Sequence, residues 1–208
     1  MFEVRGFAAP QAKAPLAPFK VPRRDVGPND VHIEILYSGV CHSDLHQAQD
    51  DWGPGIFPMV PGHEIVGRVK AVGSAVKKLK VGDHAGVGCM VDSCRTCESC
   101  KRGLEQYCLT HTSFTYNGTE QDKTTPTYGG YSTGIVVEER FVVKISEKLD
   151  LKATAPLLCA GITTYSPLRH WKVGPGQKVG IVGIGGLGHM GIKLAHALGA
   201  RTVAFTIS

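Results

Sequence analysis

No apolar run in the sequence approaches the ~20 residues that a membrane-spanning helix needs. The N-terminus, MFEVRGFAAPQAK, lacks the apolar core of a secretory signal peptide. Internal repeats and low-complexity tracts are missing as well, and the composition, 42% hydrophobic and 20% charged, is that of an ordinary globular protein. These absences predict a cytoplasmic protein without a membrane partner.

Concentrated positive charge is also lacking. The net charge is +5, and the lysines and arginines are scattered apart from a short cluster at Lys77, Lys78 and Lys80. A nucleic-acid-binding protein concentrates its charge on one face or arm. We therefore expect no nucleic-acid partner, and the scattered charge argues against a zinc-ribbon-like nucleic-acid binder.

The first part of the chain, residues 1–150, has the pattern of short β-strands. Segments 31–40, 64–73 and 135–145 are rich in Val and Ile and are bounded by turn-forming residues. This pattern predicts a small, irregular β-barrel with inserted loops, one of which spans residues 89–110.

The second part, residues 151–208, has a different character. Residues 151–170 are predicted to be largely helical, with breaks at Pro156 and Gly161, and 171–177 to form a turn. The remainder has the pattern of a strand, a Gly-rich turn, a helix of about ten residues and a second strand. The predicted fold class is therefore α/β with a β-rich N-terminal part, ending in a βαβ unit.

That βαβ unit is small for the domain it predicts. A doubly wound nucleotide-binding domain normally has about six strands, and a parallel sheet needs cover on both faces. We expect the chain to be a fragment, or one whose remaining part is supplied in another way. We also expect its strand edges at 178–183 and 202–207 to associate with other chains.

The densest chemical motif is CRTCESCKRGLEQYC, which places Cys94, Cys97, Cys100 and Cys108 within fifteen residues. Four thiolates at this spacing are typical of a closed, tetrahedral and therefore structural zinc site. The alternative is a set of disulfides or unpaired thiols, but closely spaced cysteines in a cytosolic chain favour a metal. Cys89 lies outside the motif, and we predict that it is buried and inert.

The Gly-rich turn has the form G-x-G-x-x-G. It follows a predicted strand and opens a helix, which is the context that a dinucleotide-binding fingerprint requires. The glycines would permit a tight turn, let the backbone approach a pyrophosphate at the helix N-terminus, and allow close helix–strand packing. The alternative is a Gly-rich turn without a ligand. The predicted cofactor-binding residues of the turn are Gly183, Gly185, Gly186, Leu187 and Gly188.

The end of the second strand bears on the cofactor. An NAD-binding protein usually carries an acidic residue about twenty residues after the motif. Here that strand ends at Ser208, without an acidic residue. A hydroxyl tolerates a 2′-phosphate, so the sequence favours NADP(H), with Ser208 as a cofactor contact.

A second set of metal-capable residues is dispersed along the chain. Cys41 follows a predicted strand, His63 precedes another, and Cys159 lies in the helical segment. Taken singly, the cysteines are as well explained as core residues and His63 as a turn cap. Taken together, two thiols and an imidazole are a ligand set for a catalytic zinc with an open position. Sequence spacing alone leaves open whether they meet in space.

Several collinear motifs resemble one family: GVCHSDLH at 39–46, PGHEIVGRV at 61–69, VGDHAGVG at 81–88, the four-cysteine motif, PLLCAGITTYSPL at 156–168 and VGIGGLGHMGIKLA at 182–195. The chain resembles the zinc-dependent medium-chain alcohol dehydrogenases, and within them the cinnamyl-alcohol-dehydrogenase-like aldehyde reductases. The resemblance implies a GroES-like β-barrel in residues 1–150, followed in residues 151–208 by the start of a Rossmann domain.

The resemblance also implies roles for individual residues. Cys41, His63 and Cys159 correspond to the ligands of a catalytic zinc, which makes two zinc ions per chain. Asp44 corresponds to the carboxylate that orients the ligand histidine, and Glu64 to an acid beside the metal.

Four further residues have counterparts nearer the substrate. Ser43 corresponds to the hydroxyl that bonds the substrate oxygen, and His46 to the far end of a proton relay. Trp52 and Met90 fall where such enzymes line the substrate pocket.

The expected function is zinc-dependent hydride transfer between NADP(H) and a small primary alcohol or aldehyde, by a homodimer in the full-length form. The alternative is a non-catalytic, zinc-binding fragment of such an enzyme.

Overall fold

A computed structural model describes residues 1–207. The chain divides into two compact units, one from Met1 to Ala155 and the other from Pro156 onward. Within the described range, every helix is too short or too polar to cross a membrane.

The first unit begins with a hairpin that the predicted segments did not include. Strand β1 (Phe2–Ala8) pairs antiparallel with β2 (Ala17–Arg23), so that Phe2 lies opposite Arg23. Val21 and Ala8 are buried, and Val4 and Phe19 pack against them. The hairpin is held to the rest of the unit by a bridge between Gly6 and Ser132.

A five-stranded antiparallel sheet forms the centre of the first unit. Its spatial order is β8-β3-β4-β5-β9, and its strands are β3 (Asp30–Ser38), β4 (Ile65–Val72), β5 (His84–Val87), β8 (Gly134–Glu138) and β9 (Val143–Lys144). Along β3, the alternation of apolar and polar residues puts Val31 and Ile33 in the core and leaves His32 and Glu34 partly exposed. The main core consists of Val31, Ile33, Ile65, Val69, Leu79, Ala85, Val87, Val91, Ile135, Val137 and Val142.

The predicted strand over 135–145 is interrupted. A 3-10 turn at Glu139–Phe141 separates β8 from β9. The Glu138 carboxylate accepts a hydrogen bond of 2.9 Å from the backbone N–H of Arg140, which caps this turn. A local side-chain-to-backbone bond therefore competes successfully with the continuous strand.

A short helix, α3 (Leu151–Thr154), and a 3-10 turn (Ala155–Leu158) span the division between the units. Helix α4 (Ala160–His170) follows, so the second break in the predicted helical segment lies at Cys159 and not at Gly161. Gly161 is instead inside α4, with Leu157 packed against it.

The βαβ unit is formed as predicted. Strand β10 (Lys178–Val182), helix α5 (Gly186–Ala197) and β11 (Arg201–Phe205) follow one another. The strands are parallel, with Lys178 opposite Arg201. Gly180 leaves room for the Phe205 ring on the neighbouring strand.

The core of the first unit provides a test of the fold. Replacing Ile33, which is 0% exposed, with alanine leaves a cavity in the middle of the sheet. We expect Ile33→Ala to lower the free energy of unfolding by about 2–5 kcal/mol, measured by urea denaturation.

Leu16→Ala is the control, because Leu16 is 41% exposed in the loop between β1 and β2. Its effect should stay within about 0.5 kcal/mol. Equal effects of the two substitutions would contradict the assigned core.

Candidate functional site

The four-cysteine motif forms a separate lobe. Strand β6 (Met90–Ser93) leads into Cys94, helix α2 (Glu98–Lys101) carries Cys100, and a 3-10 turn (Glu105–Tyr107) precedes Cys108. Strand β7 (Thr112–Phe114) returns antiparallel to β6 and closes the lobe.

The four sulfurs converge. All lie within 4.8 Å of one another, and Cys94 Sγ and Cys100 Sγ are 3.9 Å apart. A tetrahedral zinc with Zn–S bonds of about 2.3 Å needs sulfurs separated by about 3.8 Å. Among residues 1–207, none of the seven cysteines forms a disulfide. The donor set therefore fits a closed zinc site.

Backbone N–H groups donate to two sulfurs of this lobe, and at Cys94 they favour the thiolate form. The N–H of Cys97 donates to Cys94 Sγ at 3.4 Å, and the N–H of Leu109 donates to Cys97 Sγ at the same distance. Hydrogen bonds from the backbone of Thr96 and Cys97 lower the pKa of Cys94 to about 5. Zinc binds the thiolate, so these contacts prepare the ligand.

Arg95 ties the lobe to the central sheet. Its backbone is left-handed, with φ of 60°, and its guanidinium lies 3.3 Å from Asp92 Oδ1 and 3.6 Å from Glu138 Oε1. Burial is the main cause that raises the pKa of Asp92. Since Glu138 is the last residue of β8, this ion pair fixes one end of the lobe against the sheet.

A second candidate centre lies at the start of helix α1 (His42–Gln49). Cys41 is the N-cap of this helix, and the ligand atoms of Cys41 and His63 lie within 4.8 Å of one another. Both side chains are buried. The helix, which the sequence analysis did not assign, begins here because the Asp44 carboxylate accepts a 3.0 Å hydrogen bond from the Cys41 N–H, as in a capping box.

Asp44 joins the two ligand segments. Its Oδ1 accepts from the Gly62 N–H at 3.0 Å and lies 3.0 Å from His63 Nδ1. Burial alone would raise the pKa of Asp44, but the hydrogen bonds from His63, Cys41 and Gly62 together lower it. An ionised carboxylate only accepts hydrogen bonds, so His63 Nδ1 carries the proton and Nε2 is left as the ligand atom.

Glu64, the residue beside His63, is 3% exposed. Its carboxylate packs against Gly39, where a Cβ would lie 2.0 Å from Glu64 Oε2. The Gly39 N–H also donates to the Glu64 carbonyl at 2.9 Å. A glycine at position 39 is therefore needed to accommodate the buried acid.

Ser43 and His46 lie on successive parts of α1. Ser43 Oγ is 3.6 Å from Cys41 Sγ. His46 Nδ1 lies 2.9 Å from Asp51 Oδ2, and its ring stacks on Trp52 at 4.8 Å. His46 is partly exposed, with 36% of its side chain accessible. Their roles in a proton relay, which the sequence predicts, stay a prediction.

The structure places the other residues singled out in the sequence as follows. Cys159 is buried and is the N-cap of α4, in the second unit; its joining Cys41 and His63 stays a prediction. Cys89 is exposed, so the prediction that it is buried was wrong: it lies between β5 and β6, where the chain leaves the sheet for the lobe. Trp52 is 59% exposed and Met90 starts β6, and their lining of a substrate pocket stays a prediction.

In the Gly-rich turn, the four glycines occupy three kinds of environment. Gly183 has φ of 81°, a backbone conformation that favours glycine. A Cβ on Gly188 would lie 1.8 Å from the Gly183 carbonyl oxygen. A Cβ on Gly185, the N-cap of α5, or on Gly186 would meet no heavy atom of the described chain within 4 Å. Leu187 is in the first turn of α5, and Ser208 lies outside the described residues.

Two tyrosines near Asp44 were missed by the sequence analysis. Tyr131 donates its hydroxyl to Asp44 Oδ2 at 3.1 Å, and the ring of Tyr116 lies 5.8 Å from that of His63. They are distant from Asp44 in sequence and belong to no metal-ligand pattern, so only the structure reveals them.

Comparison with known proteins gives a consistent result. Residues 27–147 match the family described as the alcohol dehydrogenase GroES-like domain. The aldehyde reductase YahK of Escherichia coli (strain K12) is 61% identical over 99% of this chain and 59% of its own length. NADP-dependent alcohol dehydrogenase C 1 of Mycolicibacterium smegmatis is 57% identical over 100% of this chain and 60% of its own length.

Solved structures are similar over the same range. CAD from Helicobacter pylori, complexed with NADP(H), has a TM-score of 0.95 at 49% identity and covers 99% of this chain and 59% of that one. A cinnamyl alcohol dehydrogenase from Sorghum bicolor has a TM-score of 0.94 at 46% identity, covering 98% and 58%. The chain thus spans about 59% of the length of the curated relatives and structures that it matches.

The Gly-rich turn provides a test with a built-in control. Gly188→Ala places a Cβ against the Gly183 carbonyl, whereas Gly186→Ala has open space. We expect Gly188→Ala to lower the melting temperature measured by circular dichroism, and Gly186→Ala to leave it unchanged or slightly raised, because alanine favours a helix more than glycine does. Similar melting temperatures for the two variants would contradict the close contact.

Proposed function

Since the chain belongs to the zinc-dependent medium-chain alcohol dehydrogenase family, as its motifs indicated, we propose that the whole protein is an NADP(H)-preferring alcohol dehydrogenase or aldehyde reductase. Its substrate class is small primary alcohols and aldehydes, including aromatic or medium-chain ones. The names of the relatives, an aldehyde reductase and an NADP-dependent alcohol dehydrogenase, support this proposal.

The observation that carries the proposal is the buried pair of Cys41 and His63, with one ionised carboxylate hydrogen-bonded to both segments. A merely structural pair of core residues would not need a carboxylate that fixes the imidazole tautomer. Cys159 is proposed as the third ligand, which would leave one position open for substrate.

Bound zinc would supply a Lewis acid for the substrate oxygen, and bound NADP(H) would donate or accept the hydride. Residues of the chain itself would bind and transfer the proton of the substrate hydroxyl. During oxidation, Ser43 Oγ would accept the proton of the substrate hydroxyl while its own hydroxyl proton passes on toward His46, and during reduction both transfers would run in reverse. His46, which is partly exposed and paired with Asp51, would exchange that proton with solvent.

The Gly-rich turn would bind the cofactor. The open space at Gly185 and Gly186 lets a pyrophosphate approach the N–H groups that begin α5. The preference for NADP(H) is supported by the relatives' names and by the serine at position 208. A cytoplasmic location and a homodimer in the whole protein are further parts of this proposal.

Metal content is the first test. We expect two zinc ions per chain, and we expect a chelator to remove the one held by Cys41, His63 and Cys159 before the one held by four thiolates, because an open site releases metal more readily than a closed one. Elemental analysis and timed zinc release measure both.

Single substitutions assign the two ions. Cys41→Ser should lose the labile zinc alone, and Cys89→Ser, outside both clusters, should keep two. One zinc per chain in the freshly purified protein would contradict the proposal.

Turnover of the whole protein is the second test. With an aromatic aldehyde, NADPH should be oxidised more efficiently than NADH. Ser43→Ala should lower kcat by roughly 10²–10⁴-fold with little change in NADPH affinity, because the lost hydroxyl acts in proton transfer. Ser74→Ala, at an exposed turn after β4, is the control. Unaltered turnover of Ser43→Ala at neutral pH would refute the relay.

A further inference from the structure

The Asp44 carboxylate has a donor that the proposed function does not use. Besides the Cys41 and Gly62 amides and the His63 ring, it accepts a hydrogen bond of 3.1 Å from the Tyr131 hydroxyl, on Oδ2. This is the same oxygen that accepts from the Cys41 N–H. Tyr131 therefore contacts the group that holds both ligand segments.

The segment that carries Tyr131 is in turn bonded to the chain before His63. Backbone hydrogen bonds run from Gly129 N–H to Val60 O, Gly130 N–H to Gly62 O and Tyr131 N–H to Pro61 O, at 2.8, 2.8 and 2.9 Å. A Cβ on Gly62, whose φ is 104°, would lie 2.8 Å from the Tyr131 backbone nitrogen. The two segments are in such close contact that movement of one displaces the other.

Arg23 fixes the far side of this segment. Its guanidinium donates to the carbonyl oxygens of Tyr128, Gly129 and Gly134 at 2.6, 3.0 and 2.9 Å, and to Ser132 Oγ at 2.9 Å. Burial lowers the pKa of Arg23 to about 9, which leaves it charged at neutral pH. A charged fork with several oriented donors holds a loop more rigidly than a single neutral bond does.

Tyr116 also lies beside the histidine. Its buried ring is 5.8 Å from the His63 ring and tilted by 30°. Burial and the charge of Asp44 raise the pKa of both Tyr116 and Tyr131. Both phenols thus keep their protons near neutral pH, and Tyr131 acts as a donor to Asp44.

We propose that Tyr131 is a positioning residue for the Cys41–His63 metal centre: it holds the Asp44 carboxylate, and Arg23 anchors the segment from which it does so. The inference rests on the proposed function in taking zinc as the occupant of that centre. The orientation of Asp44 that Tyr131 maintains can also be measured in the metal-free chain.

The test compares Tyr131→Phe with Tyr128→Phe in the zinc-loaded chain. Tyr128 lies in the same segment, but among the described residues it is not a hydrogen-bond donor to Asp44. Zinc release to a chromogenic chelator is followed over time. Tyr131→Phe should release the labile zinc several-fold faster, a smaller effect than the roughly 10–100-fold loss of affinity expected when a direct partner of a metal ligand is removed, because Tyr131 acts on His63 through Asp44. The four-thiolate zinc should leave at the wild-type rate, and Tyr128→Phe should match the wild type throughout.

Two results would overturn the proposal. One is release of the labile zinc from Tyr131→Phe at the wild-type rate. The other is equal acceleration at both zinc sites, which would mean that the substitution loosens the whole unit. Arg23→Lys, which keeps the charge but loses the fork, should also speed release of the labile zinc. If this variant fails to fold, the comparison of Tyr131→Phe with Tyr128→Phe still tests the proposal.

A second measurement separates this inference from the proposed function. If the wild type holds no zinc at Cys41 and His63, the proposed function fails. The role of Tyr131 is then tested by the protonation of the His63 imidazole in the metal-free chain. In a long-range ¹H–¹⁵N spectrum, the wild type should show a protonated Nδ1 in slow exchange, and Tyr131→Phe should broaden or lose that signal. An unaltered His63 signal in the variant would refute the positioning role.

Discussion

The proposed centre depends on the hydrogen bonds that the Asp44 carboxylate accepts. Its oxygens join two stretches of chain, one beginning at Cys41 and one ending at His63, because they accept from both backbones and from the imidazole. A buried carboxylate is costly unless hydrogen bonds compensate the loss of water. Here they do so to the extent that the pKa of Asp44 is lowered. The hydrogen bonds that stabilise the ionised carboxylate therefore also orient Cys41 and His63.

The two metal-capable clusters are built on different principles. In the lobe of residues 90–114, the ligands are close neighbours in sequence, and backbone amides of the same lobe donate to their sulfurs. At Cys41 and His63, the ligands come from distant segments and are oriented through a third residue. The first arrangement suits a site whose role is to keep a loop folded. The second suits a site that must keep its geometry while a position stays open for a reactant.

How far the sequence predicts the structure depends on whether a residue's role is local. The family, the fold class, the βαβ unit and the convergence of the four cysteines were predictable, because the spacing of cysteines and the order of strand, turn and helix are local properties. The interruption at Glu139–Phe141 was missed because it depends on a capping hydrogen bond that the Arg140 N–H donates to the Glu138 carboxylate. Tyr131 and Arg23 were missed because their partners lie 87 and 105–111 residues away, a separation that no local pattern encodes.

The difference in sequence separation has a consequence for the order in which the molecule assembles. The four cysteines lie within fifteen residues, so the lobe closes at a small entropic cost and can form as soon as that stretch leaves the ribosome. The Asp44 cluster gains its Tyr131 hydrogen bond, and the segment of Tyr131 gains the Arg23 fork, only after the chain has been synthesised past Gly134. During synthesis, Cys41 thus lacks its final surroundings for about 90 residues after it emerges, and His63 for about 70. The dispersed centre is therefore the late-maturing part of the molecule, and its thiol is exposed to competing metals and oxidants during that interval.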